Sequence, residues 1–82
     1  MPRRVLILVN RLKAEAVASL DSVANAVKEH AELIDIVDAI EPESLPDPTQ
    51  VDLAIALGGD GTILKAAHHC LAMNCPLLGV NT

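Results

Sequence analysis

Eighty-two residues, 51% of them apolar and 21% charged, fit one small globular domain rather than a disordered chain. Six Lys and Arg against eleven Asp and Glu leave a formal charge of -5, which weighs against nucleic acid or an anionic membrane as main partner. Phe, Tyr and Trp are all absent, so the core is aliphatic and no side-chain rings are available to stack on bases.

The first element in chain order is the run Arg4 to Asn10, a continuous aliphatic stretch of the kind that forms a strand covered on both faces of a parallel sheet. Its apolar part, Val5 to Val9, is shorter than the roughly 7 to 15 residues of a secretory core and far short of a membrane span, which predicts a cytoplasmic protein. From Lys13 to His30, apolar Val17, Leu20, Ala24, Val27 and Ala31 recur at helical spacing and predict an amphipathic helix. Leu33 to Ile40 reads as a second strand, with aspartates interrupting the apolar run as at a sheet edge. Glu41 to Gln50 sets Pro42, Pro46 and Pro48 among acids, which predicts a mobile loop without regular structure, inside one domain rather than between two.

A third aliphatic run, Val51 to Leu57, ends at Gly58-Gly59. Ile63, Ala66, Ala67, Cys70 and Leu71 then fall at helical spacing, Asn74 breaks the pattern, and Pro76 to Val80 forms a fourth strand. Strand, helix, strand, strand, helix, strand predicts an α/β fold: a Rossmann-like, mostly parallel sheet of about four strands with flanking helices. Residues 1–82 read as a single, partial nucleotide-binding domain. Sheets of this kind bind ligands at the carboxyl ends of their strands, which selects Asn10 to Lys13, Gly58 to Lys65 and Gly79 to Thr82.

Within the second of these, Leu57-Gly58-Gly59-Asp60-Gly61-Thr62 stands where a buried strand turns into a helix. Three glycines permit positive φ and close approach of a ligand, the helix N-terminus suits a phosphate, and Thr62 is placed to cap the helix. Neither standard phosphate motif is present. There is no Gly-Lys-Ser/Thr ending, Leu64 occupies the third glycine of the dinucleotide fingerprint, and no acid follows Asp60 to hold a ribose. A carboxylate among phosphate-binding amides repels the anion unless a hydroxyl or a cation stands beside it. A positioned carboxylate accepts the proton of a hydroxyl that attacks phosphorus, and Lys65, one turn further on, is within reach of phosphate or ribose oxygens. The local chemistry is that of a phosphotransferase.

Gly-Gly-Asp-Gly-Thr-Ile-Leu-Lys-Ala-Ala followed by Pro-Leu-Leu-Gly-Val-Asn-Thr resembles the N-terminal part of the NAD kinase family. Diacylglycerol and sphingosine kinases and 6-phosphofructokinases share the Gly-Gly-Asp-Gly turn. Lipid kinases, however, typically carry Asn-Pro after the first strand where Arg11-Leu-Lys13 stands here, and phosphofructokinases usually have Ser at the position of Thr62. The resemblance implies phosphoryl transfer from ATP, or polyphosphate, to the 2′-hydroxyl of the adenosine ribose of NAD, assisted by a divalent cation such as Mg²⁺. It implies Asp60 as proton acceptor, NAD contacts by Asp60, Gly61 and Lys65, a turn shaped by Gly58, Gly59 and Thr62, and a homo-oligomeric full-length form. The family continues into a β-rich second domain that is absent from these 82 residues, so the isolated chain is expected to hold the base without a complete site and to be inactive. The other readings are a stand-alone regulatory or interaction module and a fragment of a lipid kinase.

Several residues have plainer readings. His68, His69, Cys70 and Cys75 have the residue types of a zinc site, but adjacent histidines diverge by about 100° on a helix, so no metal site is assigned to them. Cys70 reads as a small core residue and Cys75 as a loop thiol, both reduced. Lys65 also reads as a solvated helix residue. Arg11 and Lys13 read as solvated, with a donor phosphate as their other reading. Glu29, Glu32 and Asp35 read as surface charge, and Asn81 as a polar residue at the crevice rim.

Overall fold

The computed structural model describes residues 3–42 and 44–82. Its elements are β1 (Arg4–Val9), α1 (Ala14–His30), β2 (Glu32–Asp38), a 3-10 turn (Pro48–Gln50), β3 (Leu53–Gly58), α2 (Asp60–Met73) and β4 (Leu77–Asn81). The strands form one sheet in the order β2-β1-β3-β4, and every pairing is parallel. The aliphatic runs of β1 and β3 lie side by side at its centre, which is why neither strand alternates with polar residues.

Side chains on these two strands divide by parity. Val5, Ile7, Val9, Ile55 and Leu57 face Ala16, Ala24 and Val27 of α1, whereas Leu6, Leu8, Ala54 and Ala56 face Ala66, Cys70 and Met73 of α2. Burying each of the leucines and isoleucines stabilises the fold by about 1.5–3 kcal/mol. On α1, Ala24 and Val27 are buried and Leu20 and Ala31 pack beside them as expected, and the first turn alone differs: Ala16 is buried, and Val17 is 45% exposed. The methyl group of Ala16 lets the helix lie close to the sheet immediately after the short β1–α1 turn.

At the edge strand β2, Val5 pairs with Leu33 but Leu6 pairs with Asp35, so Ile34 is bulged out of register. The bulge is what allows Leu33 and Ile36, three residues apart, to pack on the same α1-side cluster. Asp35 and Asp38 keep this edge polar, as their sequence pattern predicts.

Among the described residues of the β2–β3 connection there is no α-helix. The connection crosses the α2 side of the sheet, burying Ala39 and Val51 and packing Leu45 against the cluster that holds Leu6 and Leu8. Contrary to the expectation of a wholly irregular loop, Pro48 starts a 3-10 turn. Asp47 caps it, accepting hydrogen bonds from the Thr49 amide (2.9 Å) and hydroxyl (2.8 Å). Those bonds, the amide first, hold the Asp47 carboxyl below its usual 3.8. At the far end, Asp52 accepts from the Arg4 amide at 2.7 Å and lies 3.5 Å from its guanidinium, which lowers that carboxyl as well.

Because α1 and α2 cover opposite faces, the winding reverses between β1 and β3. Their carboxyl ends, Asn10 and Gly58, mark the crevice. Among the described residues no helix is long and apolar enough to cross a membrane.

Candidate functional site

All three segments selected from the sequence meet at this rim. The Asn10 amide donates to the Leu57 carbonyl (3.0 Å) and the Thr82 amide to the Gly58 carbonyl (2.9 Å), which joins the ends of β1, β3 and β4. Helix α2 starts at Asp60 with Gly59 as its N-cap, three residues earlier than a Thr62 cap would require. Thr62 therefore lies within the first turn, buried, and its hydroxyl accepts from Asn10 Nδ2 (3.0 Å) instead of capping the helix. The same Asn10 side chain accepts from the Leu12 amide (3.0 Å), so one residue ties the β1–α1 turn to the start of α2.

No glycine has positive φ, which corrects the expectation attached to this motif. Close approach is the actual requirement. A Cβ on Gly58 would lie 2.6 Å from Thr62 Cβ and Cγ2, so Gly58 makes room for the first turn of α2. A Cβ on Gly59 would lie 3.1 Å from Lys13 Nζ, and one on Gly61 would meet nothing within 4 Å.

Asp60 is exposed at the first position of α2, and Asn81 Nδ2 donates to its Oδ1. It is neither turned inward nor locked onto backbone amides. The amides of Asp60, Gly61 and Thr62 belong to the first turn and have no acceptor upstream in the helix. They share the rim with the carboxylate. Lys65 is exposed and stands one turn beyond Gly61 on the same helix face, about 140° around the axis from Asp60. The structure thus brings Gly58, Gly59, Asp60, Gly61 and Thr62 together and sets Lys65 to one side.

Two cavities lie away from Asp60. One of about 380 Å³ is lined by Arg11, Asp35, Asp38 and Glu41 at the end of β2. Another of about 370 Å³ touches Cys70 and Cys75. Asp60 itself is exposed at the rim.

Among the described residues no three His, Cys, Asp or Glu side chains gather in a metal-binding group, and the rings of His68 and His69 are 6.4 Å apart. Both cysteines are free, with Cys70 buried as expected; burial, reinforced by the neighbouring Cys75, pushes its thiol up to about 11. Asn10, Lys13 and Asn81 are the rim residues to which the sequence assigned no definite role. Asn81 lies next to Gly58 in the β3–β4 register, a pairing visible only once the strand order is known.

Residues 45–82 match the family model of the ATP-NAD kinase N-terminal domain. A NAD kinase from Lachnoclostridium phytofermentans is 62% identical over 34 residues, which are 42% of this chain and 12% of that protein. NAD kinase 1 of Trichormus variabilis is 58% identical over 31 residues, 38% of this chain and 10% of its own. A NAD kinase of Porphyromonas gingivalis is 49% identical over 35 residues, 43% and 12% of the respective chains. The matched stretch therefore spans about a tenth of these relatives' length.

Proposed function

We propose, from the match of residues 45–82 to the ATP-NAD kinase N-terminal domain, that the protein phosphorylates the 2′-hydroxyl of the adenosine ribose of NAD to give NADP. ATP or polyphosphate is the donor, and the reaction belongs in the cytosol. The observation that carries this reading is Asp60, an exposed carboxylate at the N-terminus of α2 with Oδ1 held by Asn81.

In the proposed reaction the ribose hydroxyl attacks the terminal phosphorus, the bond to the bridging oxygen breaks, the shortened donor leaves, and the hydroxyl proton passes to Asp60. Asn81 occupies Oδ1, which leaves Oδ2 as the proton acceptor. Gly61 presents open space to the nucleotide. Gly58, Gly59 and Thr62 shape the turn, and Lys65 reaches nucleotide oxygens from one turn away. A divalent cation such as Mg²⁺ would neutralise charge on the donor's phosphates.

Asp60→Asn in the protein as encoded is expected to abolish NADP formation while NAD affinity, read by calorimetry, stays within about tenfold. Persistent turnover, or loss of NAD binding with the chemistry intact, would contradict the role.

A further inference from the structure

The two edges of the sheet are built differently. β2 carries Glu32, Asp35 and Asp38 and the bulge at Ile34, devices that keep an edge strand from pairing. β4 reads Leu77-Leu78-Gly79-Val80-Asn81, without charge or bulge, and among the described residues it pairs with β3 alone. The Ala54 amide donates to the Pro76 carbonyl (2.9 Å) and the Thr82 amide to the Gly58 carbonyl (2.9 Å), so the even-numbered residues of β4 face β3. The backbone groups of Leu77, Gly79 and Asn81 therefore point outward.

Apolar surface flanks this edge on both faces. On the α1 side Leu78 is 53% exposed and borders, with Val80, a hollow of about 350 Å³ lined also by Val23, Ala26 and Ile55. On the α2 side Thr62 turns toward β1 through Asn10, and Ile63 lies over Gly79. Leu64, Ala67 and Leu71 lie further round the helix from Thr62 and so project past β4. Leu64 is 74% exposed, and Leu71 borders the same cavity as Leu77. Neither leucine is needed to hold α2 on the sheet, where Ala66, Cys70 and Met73 make the contact.

Charge selects the occupant. All eleven acids lie at or before Asp60, and Lys65 is the one fixed side-chain charge of residues 61–82. Two copies of a chain with net charge -5 repel unless they meet where carboxylates are absent, and β4 with the outer face of α2 is that surface. We propose that β4 is a self-association edge, to which a second copy adds its own β4, antiparallel, about a twofold axis at Gly79. Gly79 then pairs with Gly79 of the second copy and Leu77 with its Asn81, which satisfies every outward backbone group of the strand. Leu78 meets Val80 of the second copy on the α1 side, and the same axis sets Leu64 of one α2 against Leu71 of the other. The pattern is self-complementary, as a twofold interface requires. It does not rest on the kinase reading, and the two Asp60 rims lie at opposite ends of the joined strands.

Sedimentation velocity of the 82-residue chain, from about 5 μM to about 500 μM, is expected to show a monomer–dimer equilibrium. Leu71→Glu and Leu78→Glu, on opposite faces of the edge, should each weaken association by about tenfold or more. Their circular dichroism and thermal unfolding, measured where all chains are monomeric, should match the parent. Leu64→Lys alone should weaken association too, whereas mixing it with Leu71→Glu should restore a dimer to within about threefold of the parent affinity. A parent chain that stays monomeric throughout, the behaviour of an edge reserved for a strand of another protein or another segment, would overturn the proposal. So would open-ended oligomers, a dimer indifferent to both glutamates, or a mixture no tighter than its components.

Discussion

At Gly58 and Gly61 the same residue type serves opposite purposes. Gly58 leaves room for Thr62, whereas Gly61 leaves room for nothing belonging to the protein. Gly58→Ala is expected to destabilise the chain by about 1–3 kcal/mol, because the neighbour it meets is a β-branched residue fixed in a helix and hydrogen-bonded to Asn10. Gly61→Ala, in the first turn of α2, is expected to leave stability unchanged or raise it by about 0.4–1 kcal/mol while weakening NAD binding. Urea denaturation of the two variants separates these outcomes, and equal destabilisation would contradict the placement of Gly58 beneath the helix.

Asp60 was legible in the sequence because a carboxylate between glycines at a strand-to-helix turn needs a chemical reason to be there. Thr62 was misjudged as a cap. What decides its place is a contact with Asn10, 52 positions apart in sequence, and no local pattern records it.

At the scale of elements, α2 shows how far periodicity alone carries. Ala66, Cys70 and Met73 form the buried face, but Leu71, expected among them, is 81% exposed, and the helix begins earlier than its apolar spacing suggests. Position 71 is about 100° from position 70 on the helix, and the narrow α2 contact with a sheet of alanines at 54 and 56 admits one of them, not both. Leu71→Ser is therefore expected to change stability by less than about 0.5 kcal/mol and Met73→Ala to cost about 2–5 kcal/mol.

The strands were legible as aliphatic runs, and their ends shifted by one or two residues. The 3-10 turn was hidden because its capping depends on Asp47 and Thr49 in particular, not on average composition. Asp47 and Asp52 also make the β2–β3 connection sensitive to acid. Their folded values are depressed below 3.8, so the stabilisation is fully present above 3.8 and is lost as pH falls through the lower folded values. Asp52→Asn is expected to lose less thermal stability than the parent between pH 5 and pH 2.5. An identical acid profile would show that the Arg4 bonds contribute nothing.

For the molecule as a whole, the separation of the core into two clusters on opposite faces of one sheet sets how stability is distributed. A chain of this length is held by roughly 4–12 kcal/mol in total, and neither cluster can be sacrificed. Ile7 lies beneath α1, and Leu6 beneath α2 and the proline-rich connection; both are completely buried. Ile7→Val and Leu6→Ala are expected to cost about 0.5–1.5 and 2–5 kcal/mol respectively.

The informative variant is Leu45→Ser. By composition its segment is a loop, and a loop residue on the surface would tolerate serine. In the fold Leu45 packs against the α2-side cluster where a Rossmann-type connection would carry a helix, so the substitution should cost more than about 1 kcal/mol and lower the cooperativity of unfolding monitored by circular dichroism. A Leu45→Ser chain as stable as its parent would mean that Leu6 and Leu8 are covered by α2 alone. The proline-rich connection would then be a tether between strands and no part of the core.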